Sequence, residues 1–314
     1  MMSNVIEDNF KSIEFLDIQE YQNMTVIGIN THTTRPPDLM PLDIGLSMGL
    51  VEITEVNEEG SVGELTVINN AVTPLLLMDG EEIKGAKQNR IINATIIIPA
   101  KSQQKIDVSC SESGRWNYHS RTFKHSNHIA TSKVRRSKQE SVTNSLRTSN
   151  QRISNQSQVW NDIESTQASL NVSSKTHAQQ DTYNSLEKEI EDYLEHFPLQ
   201  ENQNASIIII NKQVIGMELL YNEEKYSQYH QKYMESYIID AITQKNEKND
   251  EKIDANKLSV EFIDRIRSSK KEKYQQDNTQ DYRLEDDQIT GSLVFYEDNL
   301  VNASILRKSD VSST

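Results

Sequence analysis

The chain has 314 residues, 35% hydrophobic and 6% aromatic, with a formal net charge of −14. That length suits one large domain or two ordinary ones, and the acidic balance argues against whole-protein attraction to nucleic acid or to an anionic membrane. The single Cys110 excludes an internal disulfide and fits a reducing compartment, and no signal-peptide core or apolar run near the ~20 residues of a membrane span is present, so a soluble cytoplasmic protein is expected.

Residues 1–20 read as a lead-in, with Phe10, Ile13, Phe15 and Leu16 able to dock. Met24 to Ile29 reads as a first strand, and the loop from Thr31 to Pro41 holds three prolines. From Leu46 to Cys110 strand follows strand: Leu50 to Ile53, Leu65 with Val67, Leu75 to Met78, Ile91 to Ile98, and Ile106 with Val108. Gly, Pro, Asn or Asp separates most of them, which predicts an antiparallel sandwich or barrel. Ile106, Val108 and Cys110 alternate onto one strand face, so Cys110 is expected to be buried and unreactive.

From Tyr118 to Gln180 the composition turns to Ser, Asn, Gln, Lys and Arg. Val134, Val142 and Leu146 mark a weak helix, and Val159, Trp160, Ile163 and Leu170 keep a helical face. Tyr183 to Phe197 reads as a better helix, stopped by Pro198. Ile207 to Ile210 and Val214 to Leu220 form a hairpin, followed by a long helix from about Tyr226 to Gln244, with Tyr226, Tyr229, Tyr233 and Tyr237 as a packing face. Residues 245–288 read as a charged linker or solvated helix. Leu293 to Tyr296 and Leu300 to Leu306 form a second hairpin that mirrors the first; the two can share one sheet or be unrelated, since β-hairpins look alike.

The stretch Asp79-Gly80-Glu81-Glu82-Ile83-Lys84-Gly85-Ala86-Lys87-Gln88-Asn89-Arg90 holds more polar groups between apolar strands than a short turn requires. Glu112-Ser113-Gly114-Arg115-Trp116 echoes it. Glu81, Glu82 and Glu112 are candidate catalytic carboxylates. Glycosyl-bond cleavage uses two such groups roughly 5 to 9.5 Å apart. Glu81 and Glu82 point to opposite faces of an extended chain, so a pair needs Glu112 and one of them. Surface charge is the alternative. Lys87, Arg90, Arg115 and Arg121 can clamp a diphosphate, with Gln88 and Asn89 beside them. Residues 115–152 carry net +8 inside the −14 protein, which favours an anionic ligand; a basic segment paired with the acidic remainder is the alternative. Trp116 can stack on a base or pack in the core; Trp160, with helical apolar neighbours, is expected in the core. His119, His125 and His128 match no zinc spacing. No P-loop or Gly-x-Gly-x-x-Gly is present.

The order Leu-Leu-Met-Asp-Gly-Glu-Glu, Gly85 to Arg90, Ile98-Pro99-Ala100, Val108-Ser109-Cys110 and Gly114-Arg115-Trp116 resembles the ARG and rhodanese-phosphatase-superfamily-associated protein domain family, where ARG stands for ADP-ribosylglycohydrolase. The resemblance runs from about Leu46 to about Ile242. It implies a place in NAD and ADP-ribose pathways, with possible protein partners there, and brings no settled reaction.

The expected fold is α+β: an N-terminal antiparallel β sandwich or barrel-like domain followed by helices and two hairpins. The lead-in is 1–20. The family-like domain is 21–244, with its β part at about 21–116 and its helical and hairpin part at about 130–244. The linker is 245–288, and the C-terminal hairpin, 289–308, packs back on the domain. The expected function is recognition, with turnover as an open extension, of an NAD-derived or ADP-ribose-type nucleotide. The rival is a non-catalytic module whose polar loop binds a protein. Nucleic-acid binding through 115–152 is disfavoured by overall charge and sparse aromatics. No cofactor is named.

Overall fold

The computed structural model describes residues 10, 12–31, 38–57, 61–116, 120–245 and 253–309. The chain divides into two units: unit 1 is residues 1–36 and 188–314, and unit 2 is residues 37–187. The first unit begins with β1 (Ile13–Tyr21) and β2 (Met24–Thr31). Unit 2 then runs β3 (Met40–Pro41), α1 (Leu42–Ser47), β4 (Val51–Glu55), β5 (Glu64–Asn69), β6 (Leu75–Leu77), β7 (Glu81–Gly85), β8 (Arg90–Ile92), β9 (Ile96–Ile98), β10 (Ser102–Cys110) and β11 (Phe123–Ile129). It ends with α2 (Ser132–Ser149), α3 (Gln156–Ser169) and α4 (Gln179–Ser185). The chain returns through α5 (Glu187–Leu194), β12 (Ala205–Ile210), β13 (Gln213–Leu220), α6 (Glu223–Thr243) and α7 (Ala255–Ser268). It closes with β14 (Lys270–Gln276), β15 (Thr279–Glu285), β16 (Ile289–Tyr296) and β17 (Asn299–Arg307).

Unit 1 is built on one eight-stranded antiparallel sheet, ordered β1-β2-β12-β13-β17-β16-β15-β14. The two hairpins that mirror each other in sequence meet at its centre, where Leu219 of β13 pairs Ala303 of β17. Both turns place two consecutive residues at positive φ, Asn211 and Lys212 in one, Glu297 and Asp298 in the other. That conformation matches the right-handed strand twist of tight hairpins. Each hairpin also slips register at the corresponding step, between Ile208 and Ile209 and between Val294 and Phe295. One sheet face, with Ile207, Ile209, Met217, Leu219, Leu293 and Ile305, packs against Phe262, Ile263 and Ile266 of α7. The tyrosine face of α6 is buried as its spacing predicts: the Tyr237 hydroxyl donates to Glu218 of β13 at 2.7 Å.

Unit 2 holds a six-stranded sheet, β11-β7-β8-β10-β5-β4, and a three-stranded sheet, β3-β6-β9. An antiparallel bridge between Thr54 of β4 and Thr122, just before β11, ties the two ends of the larger sheet together. The sheet is therefore barrel-like, with Ile53, Leu65, Val67, Ile83, Ile92, Ile106, Val108 and Phe123 in its core. On the outer side Ile91 of β8 packs with Val134 of α2 and with Val159 and Ile163 of α3. Pairing is antiparallel except for the short contact of β3 with β6.

Four expectations change. Residues 13–21 form a paired strand, where a lead-in was expected. The run 91–98 is two strands, because buried Asn93 turns its side chain to Ser109 and to the Arg152 carbonyl. Tyr183 to Phe197 is divided between α4 and α5 at Leu186. In place of a charged linker, the described residues 253–285 form α7 and the β14–β15 hairpin. Phe262, Ile263 and Ile266 on one helical face suffice to anchor α7, and ladder pairing orders polar strands whose side chains stay partly exposed. Residues 246–252 of that span, like His119, lie outside the described residues.

Candidate functional site

The polar stretch at 79–90 is β7 plus a tight turn at 86–89. The turn is strained: Gly85 lies at φ 131 and Ala86, which carries a Cβ, at φ 41. A Cβ on Gly85 would meet Ser120 Oγ and the Thr122 carbonyl, each at 2.7 Å. The Ser120 hydroxyl in turn accepts from the Ala86 N–H at 3.1 Å. The segment entering β11 therefore braces the turn from one side.

Arg115 braces it from the other. Its Nε donates to Glu112 at 2.8 Å, its Nη1 to the Ala86 carbonyl at 3.1 Å, and its Nη2 to Asn89 Oδ1 at 3.1 Å. Gln88 donates to the Glu112 carbonyl at 2.9 Å, and the Asn89 N–H reaches Glu112 Oε2 at 3.4 Å. The strand register explains this convergence. Arg90 of β8 pairs with Cys110 of β10, so the residues following Cys110 run back beside the turn.

Arg90 is the anomaly. It is 0% exposed, and its Nη2 lies 3.4 Å from both Glu55 Oε1 and the Ser61 carbonyl. Its Nε and Nη1 have no hydrogen-bond partner among the described residues, and neither does Glu55 Oε2. A buried donor left unsatisfied costs about 1–3 kcal/mol, more when charged. The guanidinium carbon lies 5.7 Å from the Trp116 ring centre and 6.0 Å from that of Phe123, within cation–π range. The Lys87 ammonium stands 5.4 Å from the same Trp116 ring. Trp116 itself is 42% exposed. An unsaturated buried guanidinium, an ammonium and a partly exposed indole thus meet at the 86–89 turn.

The three candidate carboxylates are all buried and all hold protein donors. Glu82 accepts from the Ser111 hydroxyl at 2.7 Å and the Ser126 hydroxyl at 2.8 Å. Burial pushes its pKa above the ordinary carboxylate value, against the two hydroxyls that favour the charged form. Glu81 takes the Met78 N–H at 2.9 Å and stands 3.7 Å from His125 Nε2. Glu112 holds Arg115 and the Asn89 N–H. His128 stacks on Tyr183 at 4.3 Å. Among the described residues no group of three or more His, Cys, Asp or Glu is placed to hold a metal ion.

The basic run 115–152 is divided. Lys138 donates to Asp79 and to the Asn93 carbonyl inside the unit, and Gln139 donates to the other Asp79 oxygen at 2.9 Å. Arg135 is fully buried and donates to the Ala130 carbonyl. Arg147 bonds Asn144 on the exposed end of α2, and Arg121 is exposed. Among the described basic residues of this run, Arg115 is the one hydrogen-bonded to the turn. Trp160 is half-buried on α3. Cys110 is buried, and burial raises its thiol pKa to about 11.

Glu55, absent from the sequence candidates, enters the site because the Thr54–Thr122 bridge brings the end of β4 to the turn. No local signal in Glu52-Ile53-Thr54-Glu55 marks it. Unit 1 has a cleft of about 390 Å³ lined by Phe262, Arg265, Ile289 and Arg307 among others, and none of the sequence candidates lines it. No helix among the described residues is long and apolar enough to cross a membrane.

A family model described as ARG and Rhodanese-Phosphatase-superfamily-associated Protein domain matches residues 12–306. That span takes in most of both units, beyond the stretch in which the motifs lie. No curated protein and no solved structure matches the chain.

Proposed function

Because the chain belongs to the ARG and Rhodanese-Phosphatase-superfamily-associated Protein domain family, we propose that unit 2 recognises an NAD-derived or ADP-ribose-type nucleotide at the 86–89 turn. The family's description suggests the nucleotide class. The observation that carries the site is Arg90, a buried guanidinium with two nitrogens lacking hydrogen-bond partners among the described residues. A phosphate oxygen pair suits a guanidinium fork, and each such edge of Arg90 combines one of these nitrogens with Nη2, which faces Glu55. Lys87 adds positive charge, and the partly exposed Trp116 ring offers a stacking platform for a base, worth about 1–3 kcal/mol. Arg115 and Glu112 hold the turn: the Arg115 donors are spent on protein acceptors, so it acts as a positioning residue. Gln88 and Asn89 belong to the same brace, and Arg121 is a peripheral charge.

The geometry favours binding over turnover. Glu81, Glu82 and Glu112 each accept from protein donors, and among the described residues none is hydrogen-bonded to Arg90. The protein partners suggested by the ADP-ribose association belong to this same reading, and the lone Cys110 supports a reducing, cytoplasmic setting.

Calorimetric titration of ADP-ribose and NAD tests the proposal. Arg90→Met should weaken binding by 1.5–3 kcal/mol, about 10- to 150-fold. Arg90→Lys should lose nearly as much, since an ammonium cannot reproduce the fork. Arg147→Ala should leave affinity unchanged. No binding by the wild type removes the nucleotide reading, and equal losses at Arg90 and Arg147 reduce the site to diffuse charge.

A further inference from the structure

The Glu55 carboxylate lies where a ligand anion would lie. Its Oε1 is 3.4 Å from Arg90 Nη2 and 3.4 Å from the Lys87 N–H, the turn's own backbone donor. Both contacts are long for charge-assisted hydrogen bonds, which run at about 2.7–2.9 Å. The side chains are nonetheless buried, 0% exposed for Arg90 and 4% for Glu55. A mature structural ion pair in such a setting would be short and saturated, because desolvating two charges is repaid only by good geometry. Here Glu55 Oε2, Arg90 Nε and Arg90 Nη1 are all left without hydrogen bonds among the described residues.

We propose that Glu55 is a resident anion that occupies the Arg90 and Lys87 donors in the unliganded protein and yields them when a nucleotide diphosphate binds. This rests on the reading of the 86–89 turn as an anion site. Exchanging one carboxylate for one singly charged phosphate gains no charge at the site. A ligand carrying two negative charges gains one, so the displacement selects diphosphates over phosphodiesters. The position of Glu55 at the end of β4, beside the Thr54 bridge, lets its side chain move without disturbing the sheet ladder.

The test is tryptophan-fluorescence titration of wild type and Glu55→Gln with ADP-ribose and with cyclic AMP, an adenine nucleotide bearing a single charge. Gln keeps an acceptor beside Arg90 while removing the competing charge. ADP-ribose should bind Glu55→Gln about tenfold more tightly than wild type, the low end of what a charged hydrogen bond implies because the contacts are long. Cyclic AMP should bind measurably only once Glu55 is neutral. Glu55→Asp, which keeps a buried charge but shortens its reach, should also tighten ADP-ribose binding, and it carries the test if Glu55→Gln does not fold. Wild-type binding that is unchanged or weakened in both variants overturns the resident-anion role and leaves the site itself standing. Wild-type binding of cyclic AMP as tight as that of ADP-ribose overturns the charge selection. Absence of ADP-ribose binding in all three proteins overturns both readings together.

Discussion

Lys138→Met should destabilise unit 2 strongly. Lys138 is wholly buried on α2, and its ammonium donates to Asp79 and, at 2.8 Å, to the Asn93 carbonyl. Met conserves the apolar stem and much of the volume, so the cavity contribution is small. What remains is a buried carboxylate stripped of its cation and a backbone carbonyl stripped of a donor. Removing one partner of a buried pair costs about 3–5 kcal/mol. Gln139 still donates to Asp79 Oδ2, which argues for the lower half, about 3 kcal/mol. Asp79→Asn added to Lys138→Met should restore at least about 1 kcal/mol by deleting the uncompensated charge, a coupling of the size seen between contacting residues. Urea unfolding followed by tryptophan fluorescence reads this cleanly, because both tryptophans of the chain, Trp116 and Trp160, lie in unit 2. A loss below about 1 kcal/mol would refute the reasoning, since only a solvated pair is worth so little. It would also return the basic run 115–152 to candidacy as a ligand-facing surface.

Glu82 should give unit 2 a downward slope of stability with pH. Its pKa is raised in the folded state, so the folded protein binds more protons than the unfolded one from the ordinary carboxylate pKa upward, and stability falls as pH rises through that window. Glu82→Gln should flatten the slope; a slope unchanged in that variant would clear Glu82 of the effect. Gly85→Ala should cost more than about 1 kcal/mol of stability, because the new Cβ meets Ser120 and Thr122 at a φ that side chains rarely adopt; a neutral result in the same urea assay would mean that the turn relaxes freely. Cys110 should react with a thiol reagent only after unfolding, since burial raises its pKa to about 11; fast modification of the native protein at neutral pH would contradict its placement on the inner strand face.

Period and punctuation in the sequence determined the local elements. The alternation of Ile106, Val108 and Cys110 predicts their shared inner face, and the four-and-three spacing of Tyr226 to Tyr237 predicts a packed helix; the matched hairpins left open whether they share a sheet, and the structure joins them. These signals survive because each depends on side-chain direction within a single element. The same logic placed Glu81 and Glu82 on opposite faces: the neighbour Ile83 enters the barrel core, while Ile91, the cross-strand partner of Glu82, packs under the helices.

Local pattern could not carry the rest. Polar strands β14 and β15 carry too little apolar periodicity to announce themselves, and they are ordered by ladder pairing with the neighbouring strands, β14 with β15 and β15 with β16. Unit 1 is discontinuous, interrupted by residues 37–187, so its boundary coincides with no change of composition. Charge counting treated the basic residues of 115–152 as one group. Tertiary structure separated Lys138, neutralised inside by Asp79, from Arg115, which braces the turn. Glu55 met Arg90 only because the ends of a six-stranded sheet were bridged at Thr54 and Thr122. A residue's period is set by its own backbone, whereas its charge partner is set by which distant strands pair, and that pairing decided which of the candidate charges became a site.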